Sequence, residues 1–353
     1  MVTIDGSHGE GGGQIIRSSL ALSLVTGRPV TIENVRGGRR KPGLLRQHLT
    51  ALRAAAEISD GEIEGAELGS RRVSLSPGAV RSGEYRFSVG SAGSAMLVLQ
   101  TLLPALMLAE GPSTLTIEGG THNPYAPPFD FLVKTYFPLL RRMGVQVGGE
   151  LDRYGFFPAG GGCARFTIQP TAELQRITLL ERGEDVGQRV RAVVSQLPLH
   201  IGERECKTVA RKMNWSDKCC AVEQVSDPRG PGNVLLVELE AENVTELFTA
   251  FGEVGVRAEQ VAGNVVRQVR KFLKSEAPVG EHLADQLLLP MGIGAHQGSG
   301  GGAFRTGELS PHATTHIEVI REFLDVTIDV EREEGRGVLV RVARSGSTRS
   351  VQG

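Results

Sequence analysis

A glycine-rich stretch near the start of the chain, residues 9–23, reads GEGGGQIIRSSLALS. A glycine loop that leads into an apolar, helix-like run allows phosphate to approach backbone amides at a helix N-terminus. The stretch lacks the Gly-Lys-Ser/Thr ending of a P-loop and carries Glu10, Gln14 and Arg17 instead. The sequence therefore predicts an anion-binding loop that differs from the standard nucleoside triphosphate loop.

A basic cluster follows at residues 36–53, RGGRRKPGLLRQHLTALR, with six Lys or Arg residues and no acidic residue. A Pro-Gly pair precedes its helical part, so Arg39, Arg40 and Lys41 lie near a helix N-terminus that already favours anions. A solvated basic loop is the alternative for any charge cluster. The neighbouring glycine loop favours phosphate binding, and arginine suits phosphate because it can bind in a bidentate manner.

Glu10 is the unusual residue of the glycine loop, because a carboxylate repels bound phosphate unless a cation lies between them. Magnesium is bound by one or two protein carboxylates together with phosphate oxygens, which makes Glu10 a candidate metal ligand. A carboxylate that favours the positive end of a helix dipole is the alternative. The residue alone leaves both interpretations open.

His312 and His316 are four residues apart at the start of a late helix-like run, SPHATTHIEVIREFL. Ser310 and Pro311 predict that the helix begins there, which places Glu308 outside it. The pair is compatible with a zinc site, although HExxH is absent. A second interpretation is nucleophilic catalysis, since neutral imidazole attacks phosphorus near neutral pH. A structural histidine at an ordinary helix start is the third.

Repeated supersecondary units must position these residues. Residues 19–38 run from an apolar helix through a glycine to a strand and a double glycine, and residues 101–121 repeat that order. The spacing of about 80 residues suits one repeated unit. A third helix-then-strand unit spans residues 315–331. The pattern predicts an α/β (α+β) fold with helices on one face of each sheet. The glycine run GSGGGAF at residues 298–304 predicts a loop.

The composition changes between residues 181 and 277, which hold the single tryptophan and three of the four cysteines. The segment predicts strand, helix, strand and a long helix whose Val261, Val265, Val269 and Phe272 share one face. An inserted small α/β domain explains this change. The cysteines form no CxxC pair, which predicts reduced thiols and a cytoplasmic protein.

The bulk composition is that of a soluble protein. The 353 residues are 40% hydrophobic and 22% charged, and the net charge of −1 gives no general attraction to nucleic acid. Met1 leads directly into the strand-like VTID, so no secretory signal is predicted. No apolar run is long enough to predict a membrane span.

Six motifs follow one another along nearly the whole chain: GEGGGQIIR, RGGRRKPGLLRQHL, GAELGS, GGTHNPYAPPFDF, GEHLADQL and SPHATTHIEVIREFL. Together they resemble the RNA 3′-terminal phosphate cyclase family. The resemblance implies a large domain of repeated βα units, similar to the C-terminal domain of translation initiation factor three, with a smaller inserted thioredoxin-like domain. It also implies ATP-dependent conversion of an RNA 3′-phosphate to a 2′,3′-cyclic phosphate, through a histidine-bound AMP and an RNA(3′)pp(5′)A intermediate.

The resemblance implies a role for each matching residue. His312 matches the nucleophile that becomes bonded to AMP, and Glu10 matches the carboxylate that binds Mg²⁺ or Mn²⁺. The phosphate and RNA-end pocket is matched by Arg17, Arg36, Arg39 and Gln47.

Four further positions match the adenosine site of the family. Asp285 and Gln286 lie near the adenosine, and Pro127 belongs to the segment that flanks the base. The family often has a tyrosine just before LADQ, where this chain has His282, and an imidazole can also stack on adenine.

The sequence also predicts domains and partners. Residues 1–180 and 278–342 form the repeated catalytic domain, residues 181–277 the insertion, and residues 343–353 a C-terminal tail. The expected partners are ATP and RNA with a 3′-phosphate end, without a membrane, and a homodimer is one candidate oligomeric state. The alternative hypothesis is an inactive cyclase-like ribosome-maturation factor. A third, based on fold analogy alone, is an enolpyruvyl transferase.

Overall fold

The computed structural model describes residues 1–346 of the chain. Its first sheet has the strand order β1-β2-β4-β3, in which β1 and β2 are parallel and the other neighbours are antiparallel. Glycine ends the first helix as predicted, because Gly27 takes a left-handed φ of 66° at its C-cap. The elements are β1 (Val2–Asp5), α1 (Gly13–Thr26), β2 (Val30–Glu33), α2 (Arg46–Ser59), β3 (Glu62–Glu64) and β4 (Val73–Ser76).

The second sheet repeats this arrangement. Its order is β5-β6-β8-β7, again with one parallel pair, β5 and β6, followed by two antiparallel pairs. The elements are β5 (Glu84–Ser88), α3 (Ala95–Leu106), β6 (Ser113–Gly119), α4 (Phe129–Phe131), a π-helical turn (Leu132–Tyr136), α5 (Phe137–Arg142), β7 (Gln146–Arg153) and β8 (Gly162–Gln169).

The insertion follows the short strand β9 (Ile177–Leu179) and builds a sheet of its own, ordered β11-β10-β12-β13. Strands β10 and β11 are parallel and the other pairs antiparallel. The four predicted elements are present in the predicted order as β10, α6, β12 and α7, but the sequence did not predict β11 and β13. The four predicted residues of the long helix are buried. The elements are β10 (Asp185–Ser195), α6 (His200–Met213), a 3-10 turn (Asp217–Cys219), β11 (Cys220–Gln224), β12 (Gly232–Ala241), β13 (Thr245–Phe251) and α7 (Ala258–Ser275).

The third sheet completes the repeat that the insertion interrupts. Its order is β15-β16-β14-β9, with β9 and β14 parallel and the other pairs antiparallel. Strand β16 extends two residues into the predicted C-terminal tail, and residues 347–353 of that tail lie outside the described residues. The elements are α8 (Glu281–Gln297), β14 (Gly302–Thr306), α9 (Pro311–Phe323), β15 (Val326–Glu333) and β16 (Gly337–Arg344).

The prediction of a loop over residues 298–304 is wrong for residues 302–304, because β14 begins at Gly302. Gly302 has a φ of 124°, and a Cβ there would collide with the carbonyl oxygen of Ile177. Glycine therefore allows β9 to pair closely with β14. This requirement comes from a strand more than a hundred residues away, so the local glycine composition does not reveal it.

Two hydrophobic cores divide the molecule. The larger core continues through all three repeats and includes buried residues of α1, which packs against α2, α3 and α9. The smaller core belongs to the insertion and is built by α6, α7 and its sheet. The fold is thus mixed α/β, as the sequence predicts. None of the helices within residues 1–346 has the length and apolarity to cross a membrane, and all four cysteines are free.

Buried polar contacts join the insertion to the repeats. The Arg191 guanidinium, on β10, contacts Asp130 at the start of α4 and also donates to Glu223 at 2.8 Å and to the Tyr154 hydroxyl at 3.2 Å. On its other side Asp130 lies 2.8 Å from Nε2 of the buried His122. Burial favours the neutral Asp130, but His122 and Arg191 hold its pKa below the usual range.

Candidate active site

The glycine loop before α1 is shaped by close contacts with two other segments. Gly9 and Gly11 each take a left-handed φ of 54°. A Cβ at Gly9 would collide with Thr315 of α9, and one at Gly11 would lie 2.7 Å from the Gly38 nitrogen. Only glycine allows the loop to fit between α9 and the basic segment. The loop therefore brings the first and the last predicted motifs together.

The helix that carries His312 begins where the sequence predicts. The Ser310 hydroxyl accepts a hydrogen bond from the Ala313 amide at 3.1 Å, and Pro311 is the first helical residue. The His312 side chain is 45% exposed, and its Nε2 lies 2.8 Å from Glu10 Oε2. Its Nδ1 lies 3.0 Å from Gln14 Oε1. Both imidazole nitrogens thus contact side chains of the glycine loop and α1.

Gln14 fixes which nitrogen of His312 carries a proton. The Gln14 amide NH₂ donates to Asp285 Oδ1 at 2.6 Å. This bond leaves the Gln14 carbonyl oxygen facing His312 Nδ1, which must then donate. Nε2 lies 2.8 Å from Glu10 Oε2, which is also an acceptor, so the contacts fit a ring that carries a proton on both nitrogens, with Glu10 as its counterion. Loss of the Nε2 proton leaves the neutral ring with its lone pair on Nε2.

Asp285 anchors this chain of hydrogen bonds as a charged group. His316 Nδ1 lies 3.1 Å from Asp285 Oδ1. Burial acts to raise the pKa of Asp285, but the hydrogen bonds from His316 and Gln14 and the nearby His312 lower it below the usual 3.8. A carboxylate therefore orients the amide, and the amide orients the imidazole.

Arg39 completes the group around Glu10. Its Nη2 donates to Glu10 Oε2 at 3.0 Å, and this oxygen also faces His312. All three side chains are partly exposed. A single oxygen of Glu10 thus contacts both the arginine and the imidazole at the mouth of the glycine loop.

Arg17 and His48 lie beneath the loop. Burial lowers the pKa of Arg17 to about 10, although Asp285 opposes the shift. Burial, together with Arg17 and Arg36, lowers the pKa of His48 to about 3, so the imidazole is neutral. Sequence reasoning missed His48, although the basic segment that contains it was recognised. Its contact with Gly13 could not be read from spacing.

A polar cavity opens behind Gln14. Gln100 donates to Gln286, and Tyr136 closes one side. His316 Nε2 is buried there without a hydrogen-bond partner among residues 1–346. An unpaired buried nitrogen of this kind favours a polar ligand or water in the cavity. The polar residues of the lining include Gln14, Arg17, Ser18, Gln100, Tyr136, Asp285, Gln286 and His316.

Two predicted phosphate ligands make structural contacts. Arg36 donates to the carbonyl oxygens of Lys41 at 2.7 Å and Gly43 at 3.0 Å, and so holds the basic segment in its turn. Gln47 accepts a hydrogen bond from the Ser94 amide at 2.9 Å, which joins α2 to the second repeat. Arg36 Nη1 and Gln47 Oε1 are thus engaged with protein groups.

Two predicted adenosine contacts lie apart from the Gln14 cavity. His282 is exposed on the first turn of α8 and lines a separate cavity with Lys271, Phe272 and Glu308. Pro127 is half-buried in the segment between β6 and α4. The structure therefore brings Asp285 and Gln286 together with Gln14, but it does not bring His282 into that group.

No cluster of three His, Cys, Asp or Glu side chains that could hold a metal ion occurs between residues 1 and 346. His312 and His316 face different partners, Glu10 and Asp285. Glu10 alone offers a partly exposed carboxylate oxygen beside the loop. This donor fits a magnesium ion that takes most of its ligands from phosphate and water, as Mg²⁺ often does.

The fold and site define a repeated α/β protein that presents an oriented histidine beside a glycine loop at the N-terminus of α1. Comparison with known proteins identifies the family. The sequence model of a family described as "RNA 3′-terminal phosphate cyclase" matches residues 8–330. The chain belongs to this family.

Curated relatives agree over almost their whole length. An RNA 3′-terminal phosphate cyclase of Koribacter versatilis is 49% identical over 350 residues, which is 99% of this chain and 96% of the relative. One of Salmonella enteritidis is 47% identical and covers 97% and 99%. One of Ectopseudomonas mendocina is 49% identical and covers 93% and 94%.

Among solved structures, EPSP synthase from Acinetobacter baumannii matches with a TM-score of 0.26 and 14% identity, over 94% of this chain and 62% of that one. A score this low carries no argument about fold or function.

Proposed function

We propose that this protein uses ATP to convert an RNA 3′-phosphate end into a 2′,3′-cyclic phosphate. The enzyme class is an ATP-dependent RNA 3′-terminal phosphate cyclase, a ligase that forms a phosphoric ester bond. The observation that carries the proposal is the hydrogen-bonded chain from Asp285 through Gln14 to His312. It keeps a proton on Nδ1, so loss of the Nε2 proton exposes a nucleophilic lone pair beside the glycine loop.

The proposed reaction has three displacements at phosphorus. His312 Nε2 attacks the α-phosphorus of ATP, and pyrophosphate leaves with the electrons of the broken P–O bond. An oxygen of the RNA 3′-phosphate then attacks the adenylate phosphorus and releases the histidine, which gives RNA(3′)pp(5′)A. Finally the vicinal 2′-OH attacks the 3′-phosphorus, loses its proton and expels AMP.

The charged residues around the loop support this chemistry. Arg39 is partly exposed at the mouth of the loop, and Arg17 lies beneath it, so both could balance charge that shifts toward pyrophosphate. We assign Arg36 and Gln47 to the same pocket as residues that hold its walls. Asp285 and Gln286 are proposed to lie near the adenosine, with Pro127 and His282 at its edge.

Glu10 is the proposed ligand for Mg²⁺ or Mn²⁺. A bound cation would supply charge neutralisation between the carboxylate and the phosphates. In the ligand-free protein Arg39 and His312 balance the same oxygen. Glu10 thus also keeps the imidazole in place.

Several finer features rest on the family resemblance and remain proposals. The shared strand order of the three repeats supports a likeness to the C-terminal domain of translation initiation factor three. The order β11-β10-β12-β13, in which only β12 runs against the other strands, supports a thioredoxin-like insertion. We retain residues 1–180 with 278–342 and residues 181–277 as the two domains, a cytoplasmic location, and a homodimer as one candidate assembly.

Labelling with radioactive ATP tests the nucleophile. The protein incubated with magnesium and ATP labelled at the α-phosphorus should gain a label that is stable to alkali and labile to acid, as a phosphoramidate is. His312→Ala should abolish the label. His200→Ala is the matched control, because His200 is exposed on α6 of the insertion. A label that survives His312→Ala would overturn the mechanism.

The labelling experiment tests the first alternative, and a thermal-shift comparison of ATP with phosphoenolpyruvate tests the second. An inactive cyclase-like ribosome-maturation factor, which the names of the relatives do not favour, would take no label. An enolpyruvyl transferase would be stabilised thermally by phosphoenolpyruvate rather than by ATP. A cyclase should show the opposite preference.

A further inference from the structure

Two exposed aromatic rings lie on neighbouring loops of the second repeat. Tyr125 is fully exposed and Phe157 is 66% exposed. Every other Phe, Tyr or Trp side chain in residues 1–346 is buried or partly buried. Exposing such rings to water is unfavourable, and the proposed chemistry near His312 uses neither of them.

Backbone hydrogen bonds fasten the two loops together. The amides of Thr121 and His122 both donate to the Gly155 carbonyl oxygen, at 2.9 and 3.0 Å. The Gly155 amide donates in turn to the Thr121 hydroxyl at 2.9 Å. Tyr125 follows Thr121 by four residues and Phe157 follows Gly155 by two, so the rings project from one joined surface.

Tyr125 is held in an uncommon backbone conformation. Its φ is 62°, in the left-handed region that bulky residues seldom adopt. The nearby Asn123 side chain donates to the Ala92 carbonyl oxygen at 2.6 Å and anchors the segment. The fold therefore presents this ring to solvent at some conformational cost.

The joined surface connects to the His312 site through direct contacts. Ala92 lies two residues before Ser94, whose amide donates to Gln47 at the start of α2. The next residue, His48, touches Gly13 of the glycine loop. The residues that link the two rings to the glycine loop are buried or partly buried, so this strip of segments is a series of packed contacts that holds the rings in place relative to the loop.

Unpaired positive charge borders this strip. The Arg46 guanidinium lies beside Gly90, 4.0 Å from where a Cβ would stand there. Within the described part of the chain, no hydrogen bond or ion pair engages the side chains of Arg40, Lys41 or Arg46, all of which are exposed. Free cations beside exposed rings match a polyanion whose bases are available for stacking.

We infer that Tyr125 and Phe157 stack on the bases of the nucleotides immediately upstream of the RNA 3′ end, while Arg46 meets the phosphate between that end and the stacked bases. The inference rests on the proposed function. Single-stranded RNA is recognised by aromatic stacking together with contacts to its phosphates. Two rings form a short platform, which limits recognition to a few nucleotides.

RNA length and base removal test the platform. Cyclisation and fluorescence-anisotropy binding are measured with 3′-phosphorylated ten-nucleotide RNA, with the same RNA made abasic at the second and third positions from the end, and with a nucleoside 3′-monophosphate. The variants are Tyr125→Ala, Phe157→Ala, the double variant and the ring-preserving Tyr125→Phe. Val254→Ala, which removes an exposed apolar side chain from the insertion, is the matched control.

The double variant should weaken binding of the ten-nucleotide RNA and raise its KM by roughly tenfold or more, from stacking lost at one or two bases. The abasic RNA should bind the unaltered protein just as weakly, and the variants should lose little more with it. Tyr125→Phe and Val254→Ala should behave like the unaltered protein. Binding of the ten-nucleotide RNA that is unchanged in the double variant would overturn the inference, as would equal losses with normal and abasic RNA.

Adenylation by ATP alone separates this inference from the proposed function. The labelling reaction needs no RNA, so the platform variants should label at the normal rate. Absence of labelling in the unaltered protein would contradict the proposed function, while the anisotropy measurements would still decide whether the rings bind RNA. A platform variant that loses labelling would show that the rings act on the His312 site and not on RNA.

Discussion

Asp285 in the catalytic region and Glu205 in the insertion are both buried carboxyl groups, yet their pKa values move in opposite directions. Asp285 accepts hydrogen bonds from Gln14 and His316, which keep it charged despite burial. Glu205 has one donor, Asn233 at 3.0 Å, and its Oε1 has no partner within residues 1–346. Burial raises the pKa of Glu205 to about 7.

The difference teaches that burial alone does not determine ionisation; the number and charge of the donors do. Asp285 is supplied with donors and can hold Gln14 in one orientation. Glu205, with a pKa of about 7, is only partly ionised near neutral pH and lies in the core of the insertion. The predictions below test this contrast between a charged and a partly protonated buried carboxyl group.

Asp285→Asn should produce the largest effect. An asparagine can turn its NH₂ toward Gln14, which would turn the Gln14 NH₂ toward His312 and move the imidazole proton to Nε2. We expect the rate of self-adenylation to fall on the order of 100-fold, as for loss of a general acid–base contribution. The measurement is single-turnover labelling with ATP, together with its pH profile.

Glu205→Gln is the matched control for Asp285→Asn, because it replaces a buried carboxyl group of the insertion with a neutral amide. Labelling at the normal rate is expected. If both variants slowed labelling equally, the loss would reflect general destabilisation. That result would contradict the proposed role of the hydrogen bonds from Asp285 through Gln14 to His312.

Arg191→Met tests how the insertion is attached. The substitution leaves the buried Asp130 with His122 and the more distant Lys134, and a buried charge that loses a partner costs about 3 kcal/mol of unfolding free energy. Urea denaturation should show this loss. Arg204→Ala is the control: Arg204 pairs with Glu259 on the exposed surface of the insertion, and no measurable change is expected.

The ionisation of Glu205 should make the free energy of unfolding depend on pH. This is the smallest of the expected effects over the physiological range. The folded pKa of about 7 lies above the ordinary 4.5, so the stabilisation from Glu205 is complete below pH 4.5 and is lost as the pH rises through 7. The loss amounts to at most about 3 kcal/mol in total. Comparing unfolding of the unaltered protein and Glu205→Gln from pH 5 to 8 isolates it; parallel curves would contradict the prediction.

Features that depend on neighbouring residues, such as helix starts and buried helix faces, could be predicted from the sequence. Ser310 and Pro311 marked the start of α9, and the apolar face of α7 was read correctly from Val261 to Phe272. The repeats were visible because each carries its own helix, glycine and strand. Family motifs located His312 and Glu10, which the structure places 2.8 Å apart.

Long-range contacts were beyond sequence reasoning. Nothing in the order of residues indicates that Gln14 bridges His312 and Asp285, nearly three hundred positions away. The strand pairing that makes Gly302 part of β14 was hidden for the same reason. The family resemblance placed His282 at the adenosine site with Asp285, but the helix turn between them directs the two side chains to different cavities.

The docking of α9 against the glycine loop has a consequence for protein synthesis. Glu10 leaves the ribosome about three hundred residues before the imidazole beside it, which belongs to α9. For most of this interval the nascent chain holds the glycine loop without the helix that packs against it. The contact between Glu10 and His312 forms only when the third repeat has been synthesised and has folded back onto the first.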